Sequence, residues 1–147
     1  MKINISQTND INDVQKIYEL TKEHFYLYEQ RKDFNIDKVL IDVKNDLDHR
    51  FETINRIYKD DVHVGYISII PRSDAIEITD FYIFDKYQNQ GIGTEVLKII
   101  INNYQHLYLF VFKNNLRAIK LYQKLHFNIV ETHQIIYKMG YDYPLTK

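Results

Sequence analysis

Cysteine is missing altogether from these 147 residues. Its absence excludes disulfide frameworks, cysteine-ligated zinc and any thiol nucleophile, so acyl chemistry here cannot pass through an acyl-cysteine. Net charge is nearly as scarce, since 19 Lys and Arg against 20 Asp and Glu leave −1. No overall field exists to hold a polyanion or an anionic membrane, and any phosphate binding has to be local. Tryptophan is absent, and the 13 tyrosines are scattered rather than interleaved with a basic stripe. No nucleic-acid partner is therefore expected. No apolar run approaches the roughly 18 residues of a membrane span, and the opening stretch MKINISQTNDIND lacks the apolar core of a secretion signal. The expected location is cytoplasmic, with no membrane partner. The six histidines show neither HExxH nor paired ligand spacing, and no metal is assigned. Glycine is reduced to 4 residues, yet Gly91 and Gly93 stand one residue apart in QNQGIG.

What is present is an ordinary globular composition, 45% hydrophobic and 27% charged, in a length that fits one domain. Ile3, Asn4 and Ile5 alternate as a short strand. Asp10 then stands as an N-cap before Ile11, Val14, Ile17, Tyr18, Thr21 and Phe25, which recur at helical spacing. A second amphipathic helix follows, with Ile36, Val39, Leu40, Val43 and Leu47 on one face. Residues 54–59 and 62–70 flank Asp60 and Asp61 as a β-hairpin that Pro71 stops, and residues 75–84 form the next strand. From Gly91 the apolar period changes to 3.6, through Ile92, Val96, Leu97, Ile100 and Tyr104. Residues 106–112, HLYLFVF, read as a strand buried on both faces. A helix through Ala118, Tyr122 and Leu125 and a final hairpin over 128–132 and 134–141 complete the chain.

QNQGIG is thus a strand-to-helix loop. The first backbone N–H groups of a helix are unpaired and carry partial positive charge, so such a loop is suited to an anion, and glycine lets a phosphate approach the main chain. Two common phosphate loops fail on spacing. A P-loop needs a lysine after its second glycine, where Thr94 stands, and a dinucleotide loop needs glycine or alanine at position 96, which is Val96.

A second motif follows the apolar strand. Gln88-x-x-Gly91-x-Gly93, followed by VFKNNLRAIKLYQKLHF from Val111 through Asn115, Ala118, Tyr122 and Lys124 to Phe127, resembles the GNAT superfamily of acetyl-CoA-dependent N-acetyltransferases. The matched core covers residues 75–132. The resemblance implies a single N-acetyltransferase domain over 1–147 with an α/β fold of mixed α+β type. Its central mixed, mostly antiparallel sheet would have six to seven strands flanked by about four helices. It implies that Gln88, Asn89, Gln90, Gly91, Ile92, Gly93 and Thr94 wrap the pyrophosphate of coenzyme A. The strand carrying Phe81, Tyr82 and Ile83 would splay from Leu109 to Phe112, and pantetheine would pair with the exposed edge. Asn115, with Ala118 and Lys124, would contact the cofactor, and Tyr122 would lie at the thioester sulfur as general acid. A phenol pKa of about 10 against about 8.5 for a thiol makes that proton transfer uphill by roughly 2 kcal/mol in water, which the site has to offset.

The acceptor amine must lose a proton before attack, and Asp80 is the candidate base because the resemblance implies that its strand lies beside the acetyl group. The segment ITDFYIF resembles the E-D-F-F/Y-V stretch of polyamine-type acetyltransferases, with Thr79 at the first acidic position. The resemblance implies that the stretch 24–34, variable in related proteins, lines the acceptor site, so Tyr26, Tyr28 and Glu29 are candidate substrate contacts, as is Glu77. Asn89 and His126 replace glycines of the family pattern; both residue types tolerate positive φ, so the loops are expected to keep their shape. Direct acetyl transfer to a primary amine of a small molecule through a ternary complex is the function implied. Transfer to a protein amine, and a catalytically silent acyl-CoA-binding module, stay open, as does the homodimer common in such families.

Overall fold

The computed structural model describes residues 1–29 and 35–142. The last residues of the stretch 24–34, from 30 on, lie outside the described residues. In chain order the elements are β1 (Ile3–Gln7), α1 (Asn12–Tyr28), α2 (Ile36–His49), β2 (Ile54–Lys59), β3 (Val62–Pro71), β4 (Ile76–Ile83), α3 (Ile92–Asn103), β5 (Leu107–Phe112), α4 (Leu116–Lys124), β6 (Asn128–Thr132) and β7 (Ile136–Tyr141). The strands form one sheet in the order β1-β2-β3-β4-β5-β7-β6. Every pairing is antiparallel except β4 with β5.

The sheet is covered on both faces because its strands alternate apolar residues to each side. Tyr66 and Ile67 are adjacent on β3 yet belong to different clusters. Tyr66 packs with Val14 and Ile17 of α1 and Leu47 of α2. Ile67 joins Val96, Leu97 and Ile100 of α3, Ile119 and Tyr122 of α4, and Phe127. One helical layer therefore holds α1 and α2, and the other holds α3 and α4. Gly65 serves a close approach in this sheet, since a Cβ there would stand 2.1 Å from the carbonyl oxygen of Tyr82.

Three local expectations change. Asp10 is not the N-cap of α1; that position is Ile11, although Asp10 Oδ1 still accepts the Asn12 N–H at 2.9 Å. Pro71 is the last paired residue of β3, opposite Ile76, rather than the residue beyond its end, and a strand terminus is a place where proline is tolerated. Strand β5 is not buried on both faces, because Phe110 is 45% exposed between the buried Leu109 and Val111.

Candidate active site

The sheet opens where the parallel pairing of β4 with β5 stops. Strands β4 and β5 are in register only at Ile76 with Leu107 and Glu77 with Tyr108. Beyond these pairs they diverge. On its other side β4 carries a bulge: Ser68 pairs with Thr79 and Tyr66 with Tyr82, so one extra residue fits between them on β4. Asp80 at the bulge has φ 49°, a left-handed conformation that a short polar side chain tolerates. The resulting cleft encloses about 730 Å³ and is lined by Asp80 to Ile83, by Leu109 to Phe112, by the glycine loop, and by residues of α1, α2 and α4. Among the described residues no strand pairs with the backbone of β4 along the gap, so apart from the Ile83 carbonyl, which accepts from Gln88, its outward N–H and C=O groups are available to an extended ligand.

At one end of the gap lies the glycine loop. Gly91 is the N-cap of α3 with φ 79°, and among the described residues no side chain caps the helix. Its first N–H groups are thus open to an anion in the cleft. Asn89 has φ 63°, as anticipated for a residue standing where the family has glycine. Gln88 donates through Nε2 to the Ile83 carbonyl at 2.9 Å, tying the loop to the end of β4. Arg117, in the first turn of α4, donates to Gln88 Oε1 at 3.1 Å and to Asn89 Oδ1 at 2.7 Å. This places a guanidinium beside the loop. Asn115 is the N-cap of α4 and its Oδ1 accepts the Ala118 N–H at 3.2 Å, so its amide nitrogen is the part that can reach a ligand. Ile92, Gly93, Thr94, Asn115 and Ala118 line the cleft, whereas Gln90 and Lys124 do not. Gln90 turns outward and accepts from Lys59 Nζ at 2.9 Å; Lys124 is exposed on the last turn of α4.

Tyr122 lines the gap from the α4 side. Burial pushes its phenol above the ordinary tyrosine range. Its position is fixed by how α4 ends. His126 takes φ 72°, its N–H donates to the Gln123 carbonyl at 3.0 Å and the Phe127 N–H donates to the Tyr122 carbonyl at 3.0 Å. These are the two bonds of a Schellman cap, and the accompanying apolar contact is Phe127 on Tyr122, with ring centroids 5.8 Å apart.

Asp80 and Tyr82 face the α1–α2 layer. Asp80 is buried, and its Oδ2 accepts from Ser68 Oγ at 2.6 Å and pairs with Arg50 Nη1 at 2.8 Å. Tyr82 exchanges a 2.8 Å hydrogen bond with Thr21 Oγ1, and burial first, then the Asp80 charge, pushes its phenol up. Tyr28 lines the cleft and stacks on Phe112 at 5.8 Å.

Three candidate substrate contacts are not brought to the cleft. Tyr26 is 58% exposed, on another face of α1 from Tyr28. Glu29 is buried at the end of α1 but outside the lining. Glu77 lies where β4 and β5 are still paired, and it binds Arg72 at 2.8 Å and Tyr108 at 3.3 Å instead. Conversely, the sequence reading passed over Thr21, His24, Arg50 and Arg117, all of which line the cleft. Thr21, His24 and Tyr28 form a helical stripe that the spacing alone contained. Arg50 had no such signal, since its partner Asp80 is remote in sequence.

The sequence model of the acetyltransferase (GNAT) family matches residues 13–127. The spermine/spermidine N(1)-acetyltransferase of Bacillus subtilis strain 168 is 30% identical over 93 residues, covering 54% of this chain and 60% of that protein. This chain thus aligns with less than two thirds of that relative's length. Among solved structures, the PaiA N-acetyltransferase of Thermoplasma acidophilum in complex with coenzyme A superposes with a TM-score of 0.71 at 19% identity, over 97% of this chain and 100% of that one. The ribosomal-protein-S18-alanine N-acetyltransferase of Escherichia coli superposes with a TM-score of 0.63 at 18% identity, over 99% and 96%. With its sheet splayed beside an uncapped helix start and its family pattern matched across most of its length, the chain belongs to the acetyltransferase (GNAT) family.

Proposed function

We propose that this protein transfers the acetyl group of acetyl-CoA directly to the primary amine of a small cationic molecule. The observation that carries the proposal is the β4–β5 gap. It joins an open helix start, which suits a pyrophosphate, to an unpaired strand edge, which suits an amide-bearing arm, and it places Tyr122 in its wall. The thioester supplies an activated acyl carbon with a thiolate leaving group. The chain's own part is to hold, orient and move protons. Gly91 to Thr94 and Arg117 supply donors and positive charge for the phosphates, with Phe81, Tyr82 and Ile83 as the pairing edge. Tyr122 donates its O–H to the departing sulfur. Burial raises its phenol, but a thiolate released into the same cleft is desolvated too, so the gap between the two acids need not widen. Without cysteine, no covalent acyl-thiol stage intervenes.

The acceptor class rests on charge. The α1, α2 and β4 side of the cleft carries Glu23, Asp46, Asp80 and Asp85 against Arg50. A cationic amine is drawn to such a mouth, with Asp80, fixed by Ser68 and Arg50, as an anchoring charge. The B. subtilis relative is named for spermine and spermidine, acceptors of this charge type. Release of coenzyme A from acetyl-CoA, followed across polyamines, amino sugars, aminoglycosides and peptide N-termini, tests the reading. The expected result is turnover with a multiply charged small amine. Acetyl-CoA binding without release toward any amine would instead mark a silent acyl-CoA-binding module.

A further inference from the structure

Proton removal from the acceptor still needs a group. Asp80 already receives Ser68 and Arg50 on Oδ2. Asp46 accepts from Arg50 at 2.7 Å and Asp85 from Gln88 at 3.2 Å, and Glu23 is exposed to solvent. We propose that His24 is the base that takes this proton, an inference that rests on the acetyl-transfer reading above.

His24 stands in the cleft wall on the helical stripe of Thr21 and Tyr28. Its ring meets Tyr82 edge-on, with centroids 4.7 Å apart, and lies 5.6 Å from Tyr28. Tyr82 belongs to the β4 segment that faces the gap, so the imidazole is beside the edge where the acyl arm would lie. Nδ1 is 3.2 Å from the Leu20 carbonyl oxygen. A carbonyl only accepts, so Nδ1 carries the hydrogen. The neutral ring then has its lone pair on Nε2. Among the described residues no group hydrogen-bonds Nε2, which is the ring nitrogen turned away from the helix backbone. The side chain is thus a fixed imidazole with one free acceptor in the wall of the acceptor side.

Its electrostatic surroundings agree. Burial lowers the His24 pKa below the ordinary histidine value, and the Leu20 bond and the charges of Glu23 and Asp85 oppose this without cancelling it. Arg50, the C-cap residue of α2 across the same cleft, adds positive charge, and the rings of Tyr28 and Tyr82 pack against the imidazole. The imidazole is therefore mostly unprotonated at neutral pH, as a base must be. The carboxylates attract the ammonium, and His24 deprotonates it.

The transfer balances as follows. Nε2 takes one proton from the ammonium, and the freed nitrogen pair forms the C–N bond to the acetyl carbon as the C–S bond breaks. The sulfur leaves with the bonding pair and receives the Tyr122 proton. The nitrogen's second proton replaces the one Tyr122 gave, and the His24 proton passes to solvent.

The test compares pH profiles of kcat/KM for the amine, at saturating acetyl-CoA, in the wild type and His24→Gln. The expected result is a loss of roughly 10²- to 10⁴-fold, with the acidic limb moved upward toward the pKa of the free amine and acetyl-CoA affinity by calorimetry unchanged. A variant with the wild-type rate and the wild-type limb overturns the assignment. Nitrogen NMR of the wild-type protein without substrates gives a readout independent of the variant's folding. The expected signal is the Nδ1–H tautomer with a bare Nε2, and an Nε2–H ring overturns the proposal. A wild type that binds acetyl-CoA but acetylates no amine overturns the acetyl-transfer reading and this inference with it, whereas turnover unaffected by His24→Gln removes this inference alone.

Discussion

At the scale of single residues, the two loop glycines are not equivalent. Gly91 has φ 79° and is needed for its backbone conformation, since a Cβ there meets only the Met1 side chain at 4.0 Å. Gly93 has no such φ, and its added Cβ would make ordinary contacts with Leu121 at 3.5 Å and Phe81 at 3.7 Å. Gly91→Ala should therefore cost about 1–2 kcal/mol of stability in a denaturant titration. Gly93→Ala should melt like the wild type, yet raise the KM for acetyl-CoA far more than that for the amine. An unchanged acetyl-CoA KM in Gly93→Ala would place the phosphates elsewhere. Tyr122 is tested by Tyr122→Phe, which retains the ring packed on Phe127 and removes only the O–H. At saturating acetyl-CoA its kcat should fall by roughly 10² to 10⁴, and an unchanged kcat would leave Tyr122 a packing residue.

At the scale of elements, helix ends do the positioning. The α4 C-terminus holds Tyr122 through the Schellman bonds closed by His126 and Phe127, and this cap depends on a residue at φ 72°. Histidine is tolerated there, glycine is unstrained, and a β-branched residue is not. His126→Gly should keep both stability and kcat, while His126→Val should lose about 1–2 kcal/mol and lower kcat by shifting Tyr122. A kcat loss in His126→Gly as large as in His126→Val would point to the imidazole itself, against its reading as a cap. The α3 N-terminus is the converse case. Among the described residues it has no side-chain cap, and a helix end left open in a cleft is open to a ligand.

At the scale of the whole molecule, the α1–α2 layer must be held on the sheet for that wall of the cleft to exist. The clamp is Asp13, fully buried near the start of α1. It accepts from Thr8 Oγ1 at 2.6 Å, Tyr66 Oη at 2.6 Å, and Arg56 Nε at 2.6 Å and Nη2 at 3.0 Å. Burial alone would push its carboxyl up, but the bonds from Arg56, Thr8 and Tyr66 outweigh it and bring the pKa from 3.8 to about 2. A depressed pKa stabilises the folded state above the unfolded value, and that contribution is lost as pH falls through the folded one. About 2 kcal/mol should thus disappear between pH 4 and pH 2. Urea titrations of the wild type across that interval check the loss. In Asp13→Asn the protein should be less stable at neutral pH and show a smaller acid dependence; an identical acid dependence would assign the effect to other carboxylates.

The sequence by itself determined the order of elements and the anion-suited loop, and its family resemblance implied the positions of Tyr122, Asn89 and His126. Each depends on interactions within a few residues: apolar period, an uncapped helix start, a tolerated positive φ. It also contained the stripe of Thr21, His24 and Tyr28, which helical spacing alone would have exposed. What only the tertiary structure decided are the contacts between distant segments. Asp80 is tied to Arg50 because α2 ends above the β4 bulge. Glu77 is turned to Arg72 because it lies where β4 and β5 are still paired. The gap itself belongs to neither strand, since it exists only where two strands far apart in the chain stop sharing hydrogen bonds.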